Sequence, residues 1–95
     1  RKMYTKWFDY DKIKDSLAIR NRRKGDYLCW MRQTSQEAGD YFVNEKIPAS
    51  HRDEQLLLAG EDEIFWIVGG RMAYGTGISD ATRWVLEITA SNSSH

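Results

Sequence analysis

Five consecutive apolar residues, Ile64-Phe65-Trp66-Ile67-Val68, lie between the turn signals Gly60-Glu61-Asp62 and Gly69-Gly70. The run is short for a helix, and its β-branched and aromatic side chains suit an extended backbone. Successive side chains of a strand point to opposite faces, so a strand wet on one side alternates apolar with polar residues. This one does not alternate. It reads as a strand covered on two sides. The chain has 95 residues, 41% of them apolar, with four Trp, five Tyr and three Phe. That bulk fills one modest core and is too little for two ordinary domains.

The flanking segments read as shorter elements. Lys6-Trp7-Phe8-Asp9-Tyr10-Asp11 mixes aromatics with charges, as an extended edge segment does. Leu17 to Arg22 alternates as a half-buried strand, with Leu17 and Ile19 inward and Arg20 and Arg22 on the other face. Lys24-Gly25-Asp26 closes it with a turn. Thr34-Ser35-Gln36-Glu37 has the form of a capping box, and Ala38, Tyr41 and Phe42 follow at helical spacing. A helix over about 34–45 is expected despite Gly39, which costs about 1 kcal/mol relative to Ala. Pro48 marks a boundary, residues 49–54 suit a short second turn, and Gln55 to Ala59 reads as a strand. In the last strand Trp84, Leu86 and Ile88 alternate with Arg83, Glu87 and Thr89. The pattern is a β-rich α+β fold, one domain over residues 1–90. A polar tail at 91–95 is expected to be disordered.

Several function classes find no support. The lone Cys29 makes no internal disulfide, which fits a reducing compartment, and no apolar run reaches a membrane span. Two histidines and one cysteine make no zinc cluster. Here His51 reads as a surface residue and Cys29 as a small core residue. Gly70 to Gly77 has the outline of a phosphate loop, but Thr76 stands where the lysine belongs. Its glycines read as turn residues needing positive φ. No catalytic constellation, metal site or cofactor site emerges. The start at Arg1, without an initiator methionine, reads as a piece of a longer protein.

Charge is more informative. The 14 basic and 14 acidic groups cancel, yet residues 1–24 hold nine basic and three acidic while the rest hold five and eleven. Arg20, Arg22, Arg23 and Lys24 cluster near Tyr27 and Trp30. An arginine fork can hold two phosphate oxygens at once. The same run can equally pair with the acidic body or stand as a solvated face.

The order and spacing of several segments resemble the C-terminal domain of tRNA(Ile)-lysidine synthetase. These are Phe8-Asp9-Tyr10-Asp11-Lys12-Ile13, Ile19-Arg20-Asn21-Arg22-Arg23-Lys24-Gly25-Asp26 and Asp40-Tyr41-Phe42-Val43-Asn44-Glu45-Lys46-Ile47-Pro48. Arg52-Asp53, Leu57-Leu58 and Ile64 to Met72 follow. The resemblance implies a small sandwich-like sheet with one main helix, of a kind also found in the phenylalanyl-tRNA synthetase β subunit. It implies a parent enzyme that uses ATP to join lysine to the wobble cytidine of isoleucine tRNA. That chemistry would belong to an N-terminal catalytic domain of the same chain, in the cytoplasm. This segment would be a non-catalytic, tRNA-gripping module without a cofactor of its own, and possible homodimer formation is a further expectation. Arg20, Arg22, Arg23 and Lys24 match the family's basic turn, which Gly25 and Asp26 would shape. Lys46, Arg52 and Arg71 match further basic positions, so these seven are the candidate nucleic-acid-binding residues.

The chain departs from the family pattern in three places. Relatives carry lysines where this chain has Gln36-Glu37-Ala38-Gly39 and Gly77, and a proline where it has Leu56. The lost charge implies weaker RNA affinity or a different RNA-facing edge. It also keeps open the alternative of a protein docking or dimerisation domain without direct RNA contact.

Overall fold

The apolar run forms a strand, and a backbone irregularity lets it serve two cores. The computed structural model describes residues 2–13 and 17–92. The elements in order are β1 (Lys2–Asp9), α1 (Tyr10–Ile13), β2 (Ala18–Arg20), β3 (Tyr27–Met31) and β4 (Thr34–Glu37). Then come α2 (Ala38–Asn44), α3 (Ala49–Arg52), β5 (Leu57–Ala59), β6 (Glu63–Ile67) and β7 (Val85–Asn92). Strand β5 alternates regularly: Leu57 and Ala59 enter one core and Leu58 the other. Its antiparallel neighbour β6 skips a partner, with Leu58 opposite Trp66 but Ala59 opposite Ile64. This bulge puts one extra residue into β6 and reorients the side chains around it. Phe65 and Trp66 both join the second core, while Ile64 and Ile67 join the first.

Each cover comes from a distant part of the chain. A five-stranded mixed sheet runs β2-β5-β6-β3-β4, with β3 and β6 parallel and the other pairs antiparallel. Helix α2 lays Ala38, Tyr41 and Phe42 against Leu28, Leu57, Ile64 and Ile67. On the other face Phe8 and Ile13, with partly buried Tyr4, Leu86 and Ile88, meet Leu58, Phe65 and Trp66. Phe8 and Trp66 are fully buried, with ring centroids 5.9 Å apart. Strands β1 and β7 form a two-stranded antiparallel ribbon from Lys2–Asn92 to Asp9–Val85. The result is helix, sheet and ribbon in three layers, the β-rich α+β architecture expected.

Several local expectations are corrected. The capping-box residues Thr34 to Glu37 form β4, paired with β3 across a tight turn, so the helix begins at Ala38 rather than near 34. Glu37 occupies the N-cap without a side-chain cap bond. The ladder to β3 satisfies the backbone that a first helical turn would have used. Leu17 packs on the second core as expected, but within β2 Ile19 is 48% exposed and Arg20 turns inward to a buried carboxylate. Trp84 is 64% exposed and precedes β7. Ser91 and Asn92 extend β7 opposite Met3 and Lys2, so the disordered tail does not begin at 91; residues 93–95 lie outside the described residues. Of the glycines at 70, 75 and 77, only Gly75 has positive φ.

Helix α2 ends in a six-to-one closure. The Ile47 N–H donates to the Phe42 carbonyl at 3.0 Å, and the Lys46 N–H donates to the Val43 carbonyl at 3.0 Å. Ile47 packs on the first core beside Phe42, completing a Schellman motif. Lys46 holds φ 57°, a left-handed conformation that a Cβ disfavours by roughly 1–2 kcal/mol. Lys46→Gly should therefore stabilise the domain by about 0.5–1 kcal/mol after glycine's extra unfolded-state freedom is subtracted. Thermal unfolding should show a higher Tm; an unchanged or lower Tm would contradict this account of the helix end.

Candidate nucleic-acid interface

The basic turn after β2 is organised by one carboxylate. The Arg20 guanidinium donates through Nη1 and Nη2 to Oδ2 and Oδ1 of Asp26, both at 2.8 Å. It also reaches the carbonyls of Asn21 (3.0 Å) and Glu61 (3.0 Å), tying the turn to the β5–β6 loop. The Arg23 N–H donates to Asp26 Oδ2 at 2.6 Å, and the Asp26 N–H returns a bond to the Arg23 carbonyl at 3.1 Å. Gly25 takes φ 93° between them, at the turn position where positive φ calls for glycine. Asp26 is 1% exposed. Burial alone would raise its pKa, but the Arg20 and Arg23 hydrogen bonds outweigh that and hold it below the ordinary aspartate value. The Asp26 hydrogen bond in turn raises Arg20, against the cost of its burial. Arg20 Nε is buried without a hydrogen-bond partner among the described residues.

This arrangement separates the candidate residues. Arg20 is engaged by the fold. Arg22 donates from Nε to Asp53 Oδ1 at 3.1 Å and lies 5.5 Å from the Phe42 ring centroid. Arg23 and Lys24 are exposed, and no ion pair engages them among the described residues. With Arg22, Gly25, Glu37 and Gly39 they line a depression of about 390 Å³. Lys46 is exposed at the end of α2, on the backbone described above. Arg52 donates to the Ile47 carbonyl at 2.8 Å and so braces the loop after α2. The basic surplus of the first 24 residues is thus partly spent on Asp26 and Asp53, and partly left outward at Arg23 and Lys24.

Arg71 lies elsewhere. Its guanidinium carbon is 4.2 Å from the Trp30 ring centroid. Trp30 is 4.9 Å from Tyr41, and Tyr41 is 5.5 Å from Phe42, over which Arg22 sits. Two arginines therefore cap the ends of one aromatic ladder running through α2. Burial, with Glu45 nearby, pushes the Tyr41 phenol up, while Arg71 opposes the shift. Neither Trp30 nor Asp53 was among the sequence candidates; the Asp53 contact joins positions 31 residues apart, and the Trp30 contact 41 apart, separations that no local pattern encodes. Among the described residues there is no group of metal-ligating side chains and no helix long and apolar enough to cross a membrane.

Comparison with known proteins bears on this geometry. The family model of the TilS substrate C-terminal domain matches residues 17–88. The chain belongs to that family. The tRNA(Ile)-lysidine synthase of Caldanaerobacter subterraneus subsp. tengcongensis is 40% identical over 87 residues, covering 90% of this chain and 18% of the relative. That of Clostridium perfringens is 37% identical over the same length, with the same coverage. The chain therefore spans under a fifth of the length of these relatives. A solved structure described as the crystal structure of the TilS C-terminal domain superposes with a TM-score of 0.71. It is 24% identical, over 99% of this chain and 77% of that one, and so bears out the fold. The match to the TilS C-terminal family includes the basic turn and the Trp30–Arg71 stack, and it begins after β1.

The buried pair yields a stability test. A carboxyl held below its ordinary pKa stabilises the fold above that value, and its contribution disappears as pH falls through the depressed one. Stability should therefore drop on acidification below about pH 4. Asp26→Asn leaves the Arg20 charge buried without its partner, and should cost roughly 3–5 kcal/mol at neutral pH. Denaturant titrations at pH 7 and pH 3 should show the variant losing less between the two than the wild type. An equal loss would mean that Asp26 does not carry the acid response.

Proposed function

We propose that this domain holds the sugar–phosphate backbone of isoleucine tRNA for a tRNA(Ile)-lysidine synthase. ATP use and lysine attachment to the wobble cytidine then belong to a separate catalytic domain of the same protein. The observation that carries the reading is the exposed Arg23–Lys24 pair. Both are exposed, neither is in an ion pair among the described residues, and they stand on a turn whose backbone Asp26 holds. A fixed backbone leaves only the two side chains to be ordered on meeting phosphate, which limits the entropic cost of binding. Arg22, shared between Asp53 and Phe42, flanks them at the same depression.

One observation favours a second reading. The outer face of the β1–β7 ribbon presents Met3, Trp7 and Val85, which are 62%, 48% and 54% exposed. Exposed apolar side chains of this kind, set among Thr5, Glu87 and Thr89 on the same face, suit docking or dimerisation rather than RNA.

The double reversal Arg23→Glu/Lys24→Glu separates the two readings. Both positions are exposed, so stability should shift by less than about 0.5 kcal/mol per site. Titration with isoleucine tRNA should show weaker binding and a salt dependence shallower by about one unit of slope per lost phosphate contact. Phosphate contacts carry no sequence information, so unrelated tRNAs should lose similar affinity. A folded double variant with wild-type affinity and salt slope would remove the turn from the interface and leave the ribbon face as the better reading.

A further inference from the structure

At the end of the aromatic ladder opposite Arg22, a planar cation lies on a ring that cannot easily move. The Trp30 indole N–H donates to the Gln36 side-chain oxygen, which fixes the ring's orientation. Tyr41 packs against it with centroids 4.9 Å apart, and Tyr41 is buried against Phe42 in the first core. Arg71 is exposed, and no carboxylate takes it into an ion pair among the described residues, in contrast to Arg20, Arg22 and Arg83. Beside the stack is a depression of about 430 Å³, lined by Trp30, Ser35, Gln36, Asn44, Glu45 and Arg71.

We infer that Trp30 and Arg71 form a stacking platform for one unpaired nucleobase of a bound RNA. This rests on the tRNA-binding reading and adds the kind of nucleotide that this corner takes. Bases freed from a helix stack on aromatic rings and on arginine planes, and their edges then seek hydrogen bonds. The guanidinium offers the base one flat face while Trp30 supports the other. Hydroxyl, amide and carboxylate groups at Ser35, Asn44 and Glu45 can meet the base edge. Charge argues against a phosphate in the same place. Arg71 and Glu45 oppose one another there, so an anion gains little, whereas a neutral base with donors and acceptors is not repelled. The Arg23–Lys24 turn offers two exposed cations outside any ion pair among the described residues, and the domain then has a backbone grip and a base platform at separate positions.

The test uses two hairpin RNAs with the same stem, one blunt and one with a short unpaired 3′ overhang containing 2-aminopurine. Titrated with the 95-residue chain, the overhang form should bind roughly 5- to 150-fold more tightly, the range expected for one stacked base. Its 2-aminopurine emission should be quenched on binding. Arg71→Lys keeps the charge and removes the plane, so it should abolish the preference as fully as Arg71→Ala does. Full overhang preference in Arg71→Lys would overturn the platform in favour of a simple charge contact. Equal binding of both hairpins by the wild type would overturn the platform while leaving the tRNA-binding reading in place. If neither hairpin binds, both readings fall. The wild-type comparison needs no variant to fold.

Discussion

The apolar run Ile64 to Val68, most of it in β6, has no polar face and has to be enclosed, and most of this architecture follows from enclosing it. Its bulge sends Phe65 and Trp66 together toward the β1–β7 ribbon, while Ile64 and Ile67 face α2. A regular strand would have sent Ile64 and Trp66 to the same side. The irregularity places the largest side chain of the core opposite Phe8, and it makes β1 and β7 part of the fold. In so small a domain, burying β6 on both sides ties together elements more than 50 residues apart in sequence.

The second organising contact is polar. Asp26 accepts two bonds from Arg20 and one from the Arg23 backbone while almost wholly buried. Taking both charges out of water is costly, and removing either partner is more damaging than their net contribution to stability would suggest. The pair ties β2, the turn and the β5–β6 loop into one arrangement. The same carboxylate that consumes Arg20 directs Arg23 and Lys24 outward. One arginine's burial thus shapes a surface that others present.

Aromatic packing links this surface to a second one. Arg22 over Phe42 and Arg71 over Trp30 end a ladder whose middle rings belong to the first core. Core rings lose little freedom when a ligand binds, because packing has already ordered them. Cations resting on such rings inherit that order. Positive charge is thereby presented in defined positions.

Much of this was legible in the sequence. The apolar run marked β6 and its double cover, Gly60-Glu61-Asp62 marked the turn before it, and Pro48 marked the end of the α2 region. Gly25 marked a turn, at which the folded chain takes φ 93°. These signals are local: they follow from which side chains avoid water and which backbones tolerate a given φ, and the sequence alone determined them. The start of α2, the face of β2 and the roles of the seven basic residues were decided by tertiary structure. Thr34 to Glu37 suits a capping box or a strand until β3 arrives to pair with it. Arg20 and Arg23 are chemically alike, yet only the Arg20 guanidinium hydrogen-bonds the Asp26 carboxylate, while Arg23 meets it through its backbone N–H and leaves its side chain exposed. Charge and hydrogen bonding depend on partners brought from distant positions, so only the folded chain determines which arginine is structural and which is left exposed.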